Sequence, residues 1–206
     1  MALAVLSACS GSGSEDEDGK DRSDAPIGWS TCNALFGAAR IDALQGEMGE
    51  GTLAVLNQTF PVDEMTSGWA SEVKSWEPGE IGHVAYSRST PCDLGIDGTG
   101  KRFQSHVSWS RYSFEDMKSQ EGWEPEGSAL YVLREDAGLH LTAVFRCKIE
   151  GSRQEQELGL PLKVETRVTN IPDFDTKLLG ELTAGLARNL AKRLPCTNGP
   201  EIPSTL

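Results

Sequence analysis

The side chains able to do chemistry in this chain are few and unevenly spread. There are five cysteines, three histidines and five tryptophans among 206 residues. Cys9 stands alone near the start, whereas Cys32, Cys92, Cys147 and Cys196 are distributed over the rest. Five is an odd total, and it resolves into an even disulfide framework once Cys9 has a separate task. No C-x-x-C or C-x-x-H spacing occurs, so no metal ligand is assigned. His83, His106 and His140 each fall on a strand-like segment and read as ordinary sheet residues. Residues 93–100, DLGIDGTG, carry acids where a calcium loop has its first and fifth ligands. The third position is Gly95 and the twelfth is Gln104, so the bidentate acid is missing and a hairpin turn is expected. Glu124 with Glu126, and Glu155 with Glu157, sit in polar stretches that fit solvated loops better than an acid/base pair. No zincin, hydrolase-elbow, phosphate-loop or dinucleotide signature is present, and no catalytic residue or cofactor is assigned. Among the tryptophans, Trp123 lies in QEGWEPEG, a large amphipathic ring between carboxylates on a segment held by Gly and Pro. Loops of this kind make contacts with sugars or proteins, so Trp123 with Glu121, Glu124 and Glu126 is the candidate binding surface.

Composition narrows the classes of function. The hydrophobic share is 38 % and the charged share 24 %, with a mean hydropathy of −0.36, as expected of one soluble domain with a core of its own. No stretch approaches the roughly 18 apolar residues that cross a bilayer. A formal charge of −12 argues against nucleic acid as a partner, because phosphate binding needs a basic face.

Cys9 is the most informative cysteine. It follows the small and apolar run MALAVLSA and precedes SGSGSEDEDGKDRSDAP. Leu6, Ser7, Ala8 and Cys9 resemble the lipobox of bacterial lipoproteins. The resemblance implies that residues 1–8 are the end of a truncated signal peptide, cleaved before Cys9, and that the Cys9 thiol carries a diacylglyceryl group. Two or three acyl chains hold a protein at a membrane stably without a transmembrane helix, at about 0.8 kcal/mol per buried methylene. A basic region is expected ahead of the apolar stretch, and no Lys or Arg precedes Cys9, so the natural start is expected upstream. Residues 10–25 are Gly, Ser and acids with a net charge of −4 and nothing to bury, so residues 9–25 read as a lipidated, disordered tether. The remaining −8 belongs to a single domain over residues 26–206.

The elements that must position these residues follow from periodicity. Residues 31–44 read as a helix that Gly46, Gly49 and Gly51 terminate. Residues 53–76 mix a strand signal at Leu53 and Val55 with helical spacing of Trp69, Val73 and Trp76. Residues 83–89 and 103–112 are strand-like, with a tight turn at Asp97-Gly98. Residues 129–135 and 139–149 form a hairpin. In its second strand Leu141, Ala143, Phe145 and Cys147 share a core face, while His140, Thr142, Arg146 and Lys148 share a largely wet one. Residues 160–168 repeat that pattern, and antiparallel order is inferred. A helix starting at Asp173 or Asp175 runs to Leu194, with leucines on one side and Pro195 as its stop. The fold class is therefore α+β: an antiparallel sheet packed by an N-terminal helix and a long C-terminal helix. That last helix is the element to cover the Cys147 face and bring Cys196 to its edge, which pairs Cys147 with Cys196 and leaves Cys32 with Cys92.

A lipobox, an acidic tether, an early cysteine-bearing helix (TCNALF), strands with two more cysteines and a final helix ending in cysteine (LAKRLPC) together resemble uncharacterised actinobacterial envelope lipoproteins. The resemblance implies a PsbP-like α/β sandwich, with no catalytic residues to carry over. The expected function is a binding or interaction module, lipid-anchored on the outer face of a bacterial cytoplasmic membrane, whose partner is an envelope protein, a glycan or a small ligand. An envelope hydrolase and a carrier of a hydrophobic ligand are the alternatives. With a complete signal sequence, the chain should partition with membranes and incorporate labelled fatty acid. Cys9→Ala should abolish labelling, and a labelled Cys9→Ala protein would exclude the anchor.

Overall fold

The structure, a computed structural model, describes residues 27–79 and 88–206. Residues 1–8, Cys9, the tether, His83 and all but the last two residues of the strand expected at 83–89 lie outside the described residues. The leucine-rich segment near the end is helix α5 (Thr176–Arg193). The Asp175 side chain caps it by accepting from the Lys177 N–H at 2.8 Å, and Lys192 and Arg193 in the last turn complement its dipole. Its stripe of Leu178, Leu179, Leu182, Leu186 and Leu190 is buried.

That stripe lies on a seven-stranded antiparallel sheet made of β1 (Leu53–Val55), β2 (Ser89–Ile96), β3 (Arg102–Trp109), β4 (Trp123–Pro125), β5 (Leu130–Glu135), β6 (His140–Phe145) and β7 (Leu162–Thr169). The strand order is β1-β2-β3-β7-β6-β5-β4. One run of adjacent strands, β1 to β3, meets a second, β4 to β7, along the β3–β7 pairing, which is continuous from Arg102↔Thr169 to Trp109↔Leu162. The expected hairpin is β5–β6, turned through Asp136, Ala137 and Gly138, all with positive φ.

Helices α1 (Ile27–Phe36), α2 (Ala38–Met48) and α3 (Val62–Ser75) join α5 on one face of the sheet, and α4 (Gln156–Gly159) is a single turn ahead of β7. The helix expected over residues 31–44 is in fact two. Gly37 breaks it at φ 84°, a left-handed conformation that costs glycine little, while Gly46 lies inside α2 rather than ending it. Residues 53–76 divide into β1 and α3, so both signals there were real. Of DLGIDGTG, Asp93 to Ile96 belong to β2 and only the last four residues turn.

Between the layers, Trp109 donates its indole N–H to the Trp69 carbonyl at 3.0 Å, and the Thr166 and Thr183 hydroxyls meet at 2.5 Å. Phe36 packs edge-on against Phe103 with centroids 5.3 Å apart. The two bridges fasten helices to strands: Cys32 of α1 joins Cys92 of β2, and Cys196 just beyond α5 joins Cys147 just beyond β6. The Cys147–Cys196 bridge spans 49 positions of sequence, so replacing both cysteines by alanine should lower unfolding stability by about 2–4 kcal/mol in a denaturant titration. A loss well under 1 kcal/mol would mean that packing alone holds the end of α5.

Candidate functional site

Strand alternation sorts side chains onto two faces. On β7, Leu162, Val164, Thr166 and Val168 turn toward the helices, whereas Lys163, Glu165 and Arg167 turn away. The registers then place His106 and Thr142 on either side of Glu165, Gln104 and His140 beside Arg167, and Ser108 and Val144 beside Lys163. This outer face is the site that the fold assembles.

Glu165 is its centre. Only 11 % of its side chain is exposed, and two cations reach it: Arg88 Nη2 at 2.5 Å from Oε2 and Lys163 Nζ at 2.8 Å from Oε1. Burial alone would push this carboxyl upward. The hydrogen bond from Lys163 and the charges of Lys163 and Arg88 outweigh burial and hold it below the ordinary carboxylate range. The neighbouring His106 ring has Nδ1 2.9 Å from the Thr90 hydroxyl. Burial lowers the His106 pKa, Arg88 lowers it further, and the Glu165 and Asp93 carboxylates oppose both only in part. The imidazole is therefore neutral at neutral pH.

The lattice continues in both directions. Asp93 accepts from Arg102 Nε at 2.7 Å, from a second Arg102 nitrogen and from Asn57, and its hydrogen bond raises the Arg102 pKa despite opposing burial. At the other end His140 Nδ1 lies 3.1 Å from Glu135 and Arg167 lies 2.8 Å from Asp136. Arg88, Arg102, Lys163 and Arg167 thus face Asp93, Glu135, Asp136 and Glu165, an even balance of charge in an acidic chain. Toward β5 and β4 the same face becomes apolar. The face expected to be wet carries fully buried Val144, which Tyr131, Phe114 and Met117 cover in a second small core. The Arg146 guanidinium stands 5.4 Å from the Phe114 ring centre.

Trp123 belongs to edge strand β4 rather than to a loop, opposite Leu133, and its half-buried ring packs on this second core. Alternation turns Glu124 to the other side, where Arg134 pairs with both Glu124 at 2.8 Å and Glu126 at 3.4 Å. Glu121 is exposed ahead of the strand. The four residues singled out from the sequence therefore do not form one surface: Trp123 borders the outer face, while Glu124 and Glu126 lie toward the helix side. The sequence reading missed Arg88, Lys163, Glu165 and Arg167 as a group. The signal was the alternation of Lys163, Glu165 and Arg167, read there as solvated.

On the helix side, the chain beyond Cys196 folds back along α5, and Arg188 donates to the Pro203 carbonyl. An open groove of about 900 Å³ lies between this strap, the end of α5 and the β4–β5 turn, with Glu126, Ala129, Arg188, Lys192 and Ile202 among its walls. Burial lowers the Arg188 pKa, and the charge of Arg40 adds to the effect. Among the described residues, no group of three or more His, Cys, Asp or Glu side chains is placed to hold a metal ion, and no helix is long and apolar enough to cross a membrane.

No protein-family model, curated protein or solved structure matches the chain.

Because the folded state lowers the His106 pKa from its ordinary 6.5, the unfolded chain binds the proton more readily. The stability from the neutral ring is complete above that ordinary value and is lost as pH falls through the folded one. Glu165, also lowered, acts in the same direction at more acid pH. Urea midpoints of the native protein should fall between about pH 7 and pH 5, and those of His106→Gln should fall less. Equal slopes would refute a desolvated His106.

Proposed function

We propose that this chain is a binding module of a bacterial envelope, held at the outer face of the cytoplasmic membrane by lipid on Cys9, and that it engages its partner through the outer face of the sheet. The observation that carries this reading is the asymmetry of the sheet. One face is sealed by four helices, and the other presents a charge-balanced lattice of hydrogen-bonding groups bordered by the half-buried ring of Trp123. Two disulfides support an exported protein, since such bridges persist in oxidising compartments.

The same geometry favours binding over the two alternatives. A hydroxyl-activating histidine needs an acid on its other ring nitrogen. Here Thr90 meets His106, but the adjacent Glu165 is engaged by Arg88 and Lys163 instead. A carrier needs an apolar chamber, whereas Trp69, Trp109, Phe36, Phe103 and Phe145 fill the space between sheet and helices with less than about one-fiftieth of their surface exposed. Arg134 is shared by Glu124 and Glu126 and offsets one of their two charges, while Glu121 has no ion pair among the described residues.

A photo-crosslinking side chain placed at Arg167 or Trp123 should capture an envelope partner in intact cells, because both border the outer face. The same probe at Lys177, whose side chain is 75 % exposed on α5, should not. Equal capture from Lys177, or none from Arg167 and Trp123, would refute this face as the contact surface.

A further inference from the structure

We infer that the groove between α5, the chain beyond Cys196 and the β4–β5 turn is a second, separate site, one that takes the phosphate head and upper tail of an anionic membrane lipid. The inference rests on the proposed anchor at Cys9, because that anchor holds the domain beside a bilayer. Ile27, from which the chain leads back to Cys9, opens α1, and α1 packs on α5, where the Asn189 side chain donates to the Leu35 carbonyl at 2.6 Å. The groove therefore belongs to the same helix layer as the start of α1, on the side of the sheet away from His106 and Glu165.

What points to an anion is a pair of like charges. The Arg40 guanidinium lies over Gly185 of α5, where a Cβ would stand 3.6 Å from its Cζ, and it donates to the Phe36 carbonyl at 3.2 Å. Arg188 follows three residues later on the same helix face and donates to the Pro203 carbonyl. Both are half-buried, and each is fixed by a main-chain oxygen. Neither has a carboxylate partner among the described residues, whereas Arg88, Arg102, Lys163 and Arg167 on the outer face each have one. Burial and the charge of Arg40 both lower the Arg188 pKa, so the folded chain holds this cation at a cost. Of 31 acidic residues none offsets the pair, and Lys192 adds a third positive charge one turn further along α5. Lys192 is exposed and has a task in complementing the helix dipole. Solvation accounts for a single exposed cation of that kind. It does not account for two half-buried guanidinium groups brought into each other's field, and a bound anion does.

The rest of the groove selects the kind of anion. At about 900 Å³ it is within the range of ligand sites, and it is open, as a site must be for a lipid that stays in its bilayer. Arg188, Lys192 and Pro195 line it from α5 and its end, while Ala129 comes from the β4–β5 turn and Ile202 from the returning strap. Cations beside apolar walls match a head group joined to a hydrocarbon tail. A neutral hydrocarbon would desolvate Arg188 further without offsetting its charge. A free inorganic anion would use the cations and leave the apolar walls wet. An acidic peptide would carry several carboxylates past Glu126 and Glu201, which stand in the same walls, whereas an anionic lipid brings its charge in at one end.

The test uses the full chain with its disulfides formed and with Cys9→Ser to keep it unacylated. It is sedimented with vesicles of phosphatidylcholine alone, or of an equal mixture with phosphatidylglycerol, at about 0.15 M salt, where the Debye length is about 8 Å. Net charge by itself predicts less binding to the mixed vesicles, because a chain of −12 is repelled by an anionic surface. The site predicts the reverse, about tenfold more chain on the mixed vesicles than on the neutral ones. Arg188→Gln combined with Lys192→Gln should remove about tenfold of that binding. Lys177→Gln, at a side chain 75 % exposed on the same helix, should remove none. In the chain with Arg188 and Lys192 intact, soluble dihexanoyl phosphatidylglycerol should shift the Arg188 Nε–H resonance saturably, with the signal assigned through Arg188→Gln. The inference is overturned if the two kinds of vesicle bind alike, if the double variant binds like the chain that keeps both cations, or if inorganic phosphate moves the Arg188 signal as far as the lipid does. Fatty-acid labelling of Cys9 and partner capture at the outer face are separate measurements, so a failure of either leaves the vesicle result standing, and the converse holds.

Discussion

The pairing of β3 with β7 is the constraint on which the other features depend. Without it the chain would be two separate three- and four-stranded ribbons, β1 to β3 and β4 to β7, neither with enough sheet to support the helix layer. The two strands are far apart in sequence and share eight register positions, so a long loop must close before any of that pairing stabilises the fold. The disulfides do not span this loop; each fastens a helix to one of the two ribbons. Cys32–Cys92 ties α1 to the first ribbon and Cys147–Cys196 ties α5 to the second, while α1 and α5 pack on each other across the join.

Placing β7 in the middle also explains why the two faces of the sheet differ. Its inward residues, Leu162, Val164 and Val168, are buried under α5, and inward Thr166 is satisfied by Thr183. Its outward residues are charged, and in the centre of a sheet they are partly cut off from water. A carboxylate in that position is costly unless it is paired and hydrogen-bonded. Glu165 is tolerated because Arg88 and Lys163 both reach it, one from the approach to β2 and the other from two residues back on the same strand. Such a group fixes geometry more than it adds stability, and a fixed array of donors and acceptors is what a recognition surface requires.

Charge is partitioned as well. The outer-face lattice is balanced, although the chain carries −12 overall, so much of the excess acid lies elsewhere. A balanced surface gives little long-range steering toward cations. A partner of the kind proposed would be selected there by matching hydrogen bonds and by the aromatic margin at Trp123, both short-range and weakly sensitive to salt.

Much of this was legible in the sequence, because helix and strand periods are local properties. The spacing of the leucines and the stop at Pro195 specified α5, and alternation over residues 139–149 and 160–168 specified β6, β7 and the faces they bury. Those two facts together brought Cys196 to Cys147. Gly37 was overlooked because one glycine inside a helical pattern does not announce whether it bends or breaks the helix, and here the left-handed φ decided. The site was legible only as separate residues. Lys163, Glu165 and Arg167 were visible as the outward side of a strand, but which residues flank them depends on strand order and register, and these are set by packing between distant segments. The same reason separated Trp123 from Glu124 and Glu126: in a loop they would share a surface, whereas edge pairing with β5 sends neighbours to opposite sides. Sequence alone determined the long periodic elements, α5 and strands β5 to β7, and the face each turns toward the helices, since one period of side chains suffices for that; tertiary structure decided which residues of the outer face meet and which of them are buried, since that requires the β3–β7 register and the packing around Val144.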